Sequence, residues 1–208
     1  AAKKCPYLTH AVMALIPVGA HTIRVGYDGD AVAPSYNYAP SIAPTDLVYN
    51  VKKDTTATSI TAVPTSKPLG QLADFEVVVS PGLAGSTGVP QGTLTFFVDN
   101  PIPANQIGTL NYTGGTAVFS TDELTIGGHT IFVTFVATDG NYLNSNSSTS
   151  ITITPAETET TIHSATPSNP NYGDQVTFIV TVVENPAIDP GFGDPTGTVT
   201  IWMDAIGA

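Results

Sequence analysis

His21 and His129 are the two side chains best placed by type and spacing to do acid–base chemistry. They stand at the same place in two copies of one pattern, GAHTI from Gly19 and GGHTI from Gly127. A general base works with a partner held within hydrogen-bond reach. No acid or nucleophile recurs with the two histidines, so a catalytic role would have no reason to repeat. Each follows a glycine turn and opens a strand pattern, which reads as a hydrogen-bonded structural histidine. His10 and His163 lack paired ligands, and the sequence contains no H-x-x-x-H, C-x-x-C, G-x-S-x-G or phosphate-loop signature. No catalytic residue and no cofactor are therefore assigned.

Calcium is the remaining metal chemistry to weigh. Asp28 and Asp30 flank Gly29, Asp139 sits beside Asn141, and Glu184, Asp189 and Asp194 fall in one stretch. Calcium takes six to eight oxygens, which such loops can supply. Asp, Asn and Gly are equally the default residues of turns, and no twelve-residue calcium-loop signature is present. Asp28, Asp30, Asp189 and Asp194 stay as weak calcium candidates. Asn111 and Asn146 open N-x-[ST] sequons in stretches read as loops or hairpins, and are candidate glycosylation sites. The single cysteine, Cys5, excludes an intrachain disulfide. It reads as a buried or idle thiol, with an intermolecular disulfide as the alternative.

Composition narrows the setting for these residues. Of 208 residues, 41% are hydrophobic and 11% are charged, against roughly 25% charged in an average soluble protein. Thr, Ser, Gly, Pro and Asn fill the gap. Thr favours strands and the others favour turns, so the chain reads as all-β with many short strands, suited to a secreted protein. The net charge of −11 with six basic residues would be repelled by phosphate backbones and anionic lipid, which argues against nucleic-acid and membrane-surface partners. No apolar run reaches the eighteen residues of a membrane span. With neither leader nor initiator Met, the sequence reads as a mature product or an excised segment.

The elements that position these side chains come from an internal repeat. GQLADFEVVVSP around Gly70 matches GDQVTFIVTVV around Gly173, with Ala73, Phe75, Val77 and Val79 answering Val176, Phe178, Val180 and Val182. PQGTLTFFVD from Pro90 matches PTGTVTIWMD from Pro195, and Ile23, Val25 and Tyr27 answer Ile131, Val133 and Phe135. Steps of two mark half-buried strands. The alternation turns Phe75, Val77, Leu94, Phe96, Phe119, Ile131, Val133 and Phe135 into one core and Thr93 and Thr95 outward. Phe97 and Trp202 share the outward phase, and an exposed aromatic at a repeated position is a candidate interface; a covering loop or linker is the alternative. Seven or so short strands in about 105 residues is a two-sheet sandwich pattern. Residues 52–155 form a complete unit, residues 1–51 the late strands of another, and residues 156–208 the early strands of a third, joined by short linkers at 51–54 and 155–158.

The shared order of these blocks resembles the bacterial immunoglobulin-like repeat family found in tandem in large surface proteins. The matching stretches are TTATSITA (55–62), Gly70 with Phe75, P-x-G-T-[LV]-T, G-G-T-A-x-F (114–119), L-x-x-G-x-H-T-I and YDGD (27–30). The resemblance implies tandem Ig-like sandwiches used for spacing, adhesion or assembly, outside the cell, with no catalytic residues to carry over. Two functions follow as expectations. One is a structural subunit or segment of a surface fibre, with copies meeting head-to-tail where the late-strand half of one completes the early-strand half of another. The other is an adhesin-type module that binds a carbohydrate or a host protein through loops such as the Pro- and Ala-rich residues 31–45. A window cut from a longer covalent array would account for the half-units equally well.

Overall fold

The computed structural model describes residues 16–27, 29, 38–185 and 194–203. Four strands come first: β1 (Gly19–Ile23), β2 (Gly26–Tyr27), β3 (Ser41–Ile42) and β4 (Leu47–Val51). β1 and β4 pair antiparallel with His21 opposite Tyr49, and β2 pairs with β3. Arg24 closes the base of this ribbon with two 2.7 Å hydrogen bonds from its guanidinium to the Asp46 carboxylate.

The central unit holds eight strands: β5 (Thr56–Val63), β6 (Ser66–Pro68), β7 (Ala73–Pro81), β8 (Gly92–Val98), β9 (Gln106–Tyr112), β10 (Thr116–Thr121), β11 (Gly127–Ala137) and β12 (Ser145–Thr154). One sheet has the order β10-β7-β5 and the other β6-β12-β11-β8-β9. The first strand therefore serves both layers. β5 pairs with β7, and after the cis Val63–Pro64 bond the chain crosses over so that β6 runs parallel to β12. Thr56 and Thr58 hold β5 against the facing sheet through Ser145, with hydroxyl–hydroxyl distances of 2.7 and 2.6 Å.

The period-two reading gives the core directly. Phe75, Val77, Leu94, Phe96, Ile131, Val133 and Phe135 are all fully buried. Phe119 is partly buried and stacks on Phe96, with ring centroids 4.3 Å apart. Thr93 and Thr95 take the opposite face, half-exposed. Gly92 has to be glycine on this strand, because a Cβ there would run into the Val136 carbonyl and the Phe135 ring. Tyr112 buries its ring edge-on to Phe135. Its hydroxyl donates to the Gly115 carbonyl at 2.7 Å and accepts from the Val79 N–H at 3.0 Å.

Past this unit, β13 (Thr158–Thr166) pairs antiparallel with β14 (Thr177–Glu184). Their register repeats that of β5 and β7. Thr58 faces Val79 as Thr160 faces Val182, Ile60 faces Val77 as Ile162 faces Val180, and Ala62 faces Phe75 as Ala165 faces Phe178. A bulge at His163 takes up the extra residue, and a second cis bond, Thr166–Pro167, follows the strand. β1 and β4 repeat β11 and β12 in the same way: Gly19 pairs with Val51 and His21 with Tyr49, as Gly127 pairs with Ile153 and His129 with Ile151.

Candidate functional site

The histidine corner ties Asp99, Thr125, His129 and Thr130 together by hydrogen bonds. β8 ends at Asp99, whose φ of +60° lies in the left-handed region, a conformation that Asp tolerates better than most residues. The turn brings Asp99 onto the start of β11. Its N–H donates to the Thr130 carbonyl at 2.7 Å, and its Oδ1 accepts from the Thr130 N–H at 3.0 Å. Oδ2 accepts from His129 Nδ1 at 2.9 Å, while His129 Nε2 donates to the Thr125 carbonyl at 2.8 Å. Oxygen acceptors face both ring nitrogens, which favours the imidazolium over the neutral ring. Burial works against that charge, but the bonds to Asp99 and Thr125 outweigh it and raise the His129 pKa above its ordinary value. The Thr130 N–H, and then His129, lower that of Asp99. The aspartate and histidine fasten β8 to β11.

His21 repeats the local half of this device. It follows Gly19 at φ +138° as His129 follows Gly127 at φ +134°, and it donates from Nε2 to the carbonyl four residues back, Pro17, at 2.7 Å. The structural reading of both histidines fits these bonds. His163 is exposed at the β13 bulge.

The other sequence candidates do not converge. Asp194 is exposed on irregular chain, whereas Asp28, Asp30, Asp189, His10 and Cys5 lie outside the described residues. Among the described residues no group of three or more His, Cys, Asp and Glu could hold a metal ion. Asp139 uses Oδ1 to accept from the Asn141 N–H at 3.0 Å, an ordinary turn bond. The sequons lie on strands of antiparallel hairpins: Asn111 on β9 opposite Thr93 and Asn146 on β12 opposite Thr134, both exposed. Asn and Thr here occupy the solvent phase of the alternation, which looks like loop chemistry when read residue by residue. Phe97 is half-buried on the outer face opposite Phe132, while Trp202 is 70% exposed. Most of residues 31–45, the loop of the binding-module reading, lies outside the described residues.

Sequence reading passes over one buried acid. Asp54 bridges its backbone to the β11–β12 turn, with its N–H donating to the Asn141 carbonyl at 3.0 Å and its carbonyl accepting from Leu143 at 2.8 Å. Both of its carboxylate oxygens are buried without a hydrogen-bond partner, in a cleft lined also by Pro17, Val51, Gly88 and Tyr142. The Asn141 side chain accepts from the Val18 N–H at 3.1 Å across this junction.

The remaining candidates are faces. Residues that the central unit buries are open at the same register in both flanking ribbons. Phe75 is 0% exposed and its counterpart Phe178 45%; Ile60 is 8% and Ile162 63%; Ile151 is 1% and Tyr49 52%. A two-stranded ribbon has one apolar face and nothing of its own to cover it.

Comparison with known proteins fits this architecture. Residues 60–154 match the bacterial Ig-like domain (group 3) family. The central unit is similar to a bacterial Ig-like domain. The match takes in β6 to β12 and the second half of β5, the strands that carry the core and the histidine corner. A solved structure of a CARDB domain from Pyrococcus furiosus, in complex with di-metal ions, is similar at 16% identity over 51% of this chain and 99% of that one, with a TM-score of 0.39. Comparison with curated proteins finds no match. Among the described residues no helix is long and apolar enough to cross a membrane.

Proposed function

We propose that this chain is a non-catalytic spacer of a bacterial cell surface, a subunit or segment of a fibre of tandem Ig-like sandwiches. Its two open half-units are closed by complementary half-units, head to tail. The observation that carries the reading is the matched exposure of core positions: Phe178, Ile162 and Tyr49 stand open where Phe75, Ile60 and Ile151 are sealed.

The halves are also the right halves. The ribbon of β13 and β14 corresponds to the first two long strands of the sandwich, and residues 197–203 repeat the sequence of β8. The ribbon of β1 and β4 corresponds to the last two strands, β11 and β12. In the central unit β8 pairs with β11, Phe96 facing Val133. Bringing Ile201 opposite Val25 would restore that pairing between two copies. Such a contact is heterologous, and a heterologous contact that does not close into a ring grows a filament. An extracellular setting suits the Thr- and Ser-rich strands, the low charge content and the bacterial Ig-like family.

Sedimentation velocity across a wide concentration range tests this directly. The chain should form a ladder of species that lengthens with concentration. Phe178→Asp, which places a charge on the open face, should leave a monomer whose central unit still melts cooperatively. A wild-type chain that stays monomeric at every concentration overturns the head-to-tail reading.

A further inference from the structure

We infer that the junction between the first ribbon and the central unit binds a calcium ion, held by the Asp54 carboxylate together with Asp139 and the turn at Asn141. The inference is independent of how half-units are completed between copies, since every residue it uses belongs to one chain.

Asp54 ends the short linker that follows β4. Its backbone is anchored on the β11–β12 turn: its N–H donates to the Asn141 carbonyl at 3.0 Å, and its carbonyl accepts from the Leu143 N–H at 2.8 Å. Both carboxylate oxygens are buried, and neither has a hydrogen-bond partner among the described residues. A buried carboxylate without a donor is among the costliest groups a fold can hold. The sandwich has no packing need for it, because Ala156 stands at the same register ahead of β13. A side chain that one repeat does without, and that costs the other stability, points to a ligand from outside the chain.

The surroundings select a cation. The cleft that Asp54 lines measures about 490 Å³, room for an ion with several waters at about 30 Å³ each. Asp139 lines it as well, and while its Oδ1 accepts from the Asn141 N–H at 3.0 Å, its Oδ2 remains for a ligand. Lys52, the basic residue of the lining, is exposed and forms no ion pair with Asp54 among the described residues. Two carboxylates on a linker and a turn suit calcium, which accepts irregular geometry and completes its shell of six to eight oxygens with carbonyls and water. Magnesium demands a near-ideal octahedron. Asn141 gives the ion a task. Its side-chain oxygen accepts from the Val18 N–H at 3.1 Å, just ahead of β1, and its carbonyl holds Asp54. A calcium ion beside it ties linker, turn and first ribbon together and sets the angle of the ribbon on the central unit.

Calorimetric calcium titrations of the full chain, paired with melting curves in calcium and in chelator, test the site. The wild-type chain should bind calcium with a Kd of about 10⁻⁴–10⁻³ M, the range of extracellular calcium modules. It should melt higher in calcium than in chelator. Asp54→Asn should lose one binding event and the calcium-dependent rise with it. In chelator it should melt no lower than wild type, because it removes a buried charge that has no partner. Asp54→Ala installs the residue that the last ribbon carries at this register, and it should behave in the same way. Asp139→Asn keeps an oxygen for the Asn141 N–H and should bind calcium roughly tenfold more weakly. A calcium response undiminished in both Asp54 variants places the ion elsewhere and overturns the site, as does a wild-type chain that binds no calcium. Asp54 variants that melt well below wild type in chelator would show that the carboxylate already has its partner within the fold, which also overturns it.

Discussion

Asp99 and His129 show how one pair of side chains fastens two strands of the sandwich. The His129 pKa is raised in the folded protein, so its contribution is fully present below the unfolded value near 6.5 and is lost as pH rises through the higher folded value. The Asp99 pKa is lowered, so its contribution is present above the unfolded value near 3.8 and is lost as pH falls through the lower folded value. The pair therefore stabilises most from about pH 4 to about pH 6.5. The melting temperature of Asp99→Asn should fall furthest below wild type inside that window, and the gap should narrow toward pH 9. A gap that is constant across pH would mean that Asp99 acts only through its backbone turn. The histidines were legible as a repeated structural pair because their block recurs. Asp99 was visible in the same way, as the terminal residue of a repeated block, but only the structure shows that it reaches the histidine. Asp54 left no such trace: the register that sets Thr160 against Thr58 puts Ala156 in its place, so no repeat marks it.

The strands themselves were written plainly in the alternation. Every residue from Phe75 to Phe135 expected in the core is buried or packed against it, because period two on a half-buried strand leaves one assignment of faces. β6 was not legible. Three residues cannot show a period, and their pairing with β12 depends on the chain crossing between layers after β5. The strand-level prediction is about Phe96, which is fully buried and stacked on Phe119. Phe96→Ala should cost about 3–5 kcal/mol, as large-to-small changes in packed cores do. Its half-exposed neighbour in Thr95→Ala should cost within about 0.5 kcal/mol. Denaturant midpoints at a common m-value measure both. Equal costs at the two positions would show that the alternation does not set the core.

At the scale of the whole chain the question is what the two flanking ribbons do. The central unit closes both its sheets and buries a continuous core, so it needs neither flank to fold. The flanks repeat its registers but not its burial, and an unpaired ribbon with an apolar face is an adhesive edge. If completion is directional, the two ends are not interchangeable, and a chain lacking one of them should cap growth at one end only. A chain of residues 1–155 keeps the late-strand half and the central unit. Alone it should be a folded monomer. Added to the full chain it should occupy open early-strand halves and shorten the assemblies in proportion to its share of the mixture. A chain of residues 52–155 should melt cooperatively yet have no effect on length at any ratio. Light scattering of the mixtures distinguishes these outcomes. If residues 1–155 polymerise alone, or if residues 52–155 shorten the assemblies as well, then the adhesive surface lies on the complete domain and not on the open ribbons.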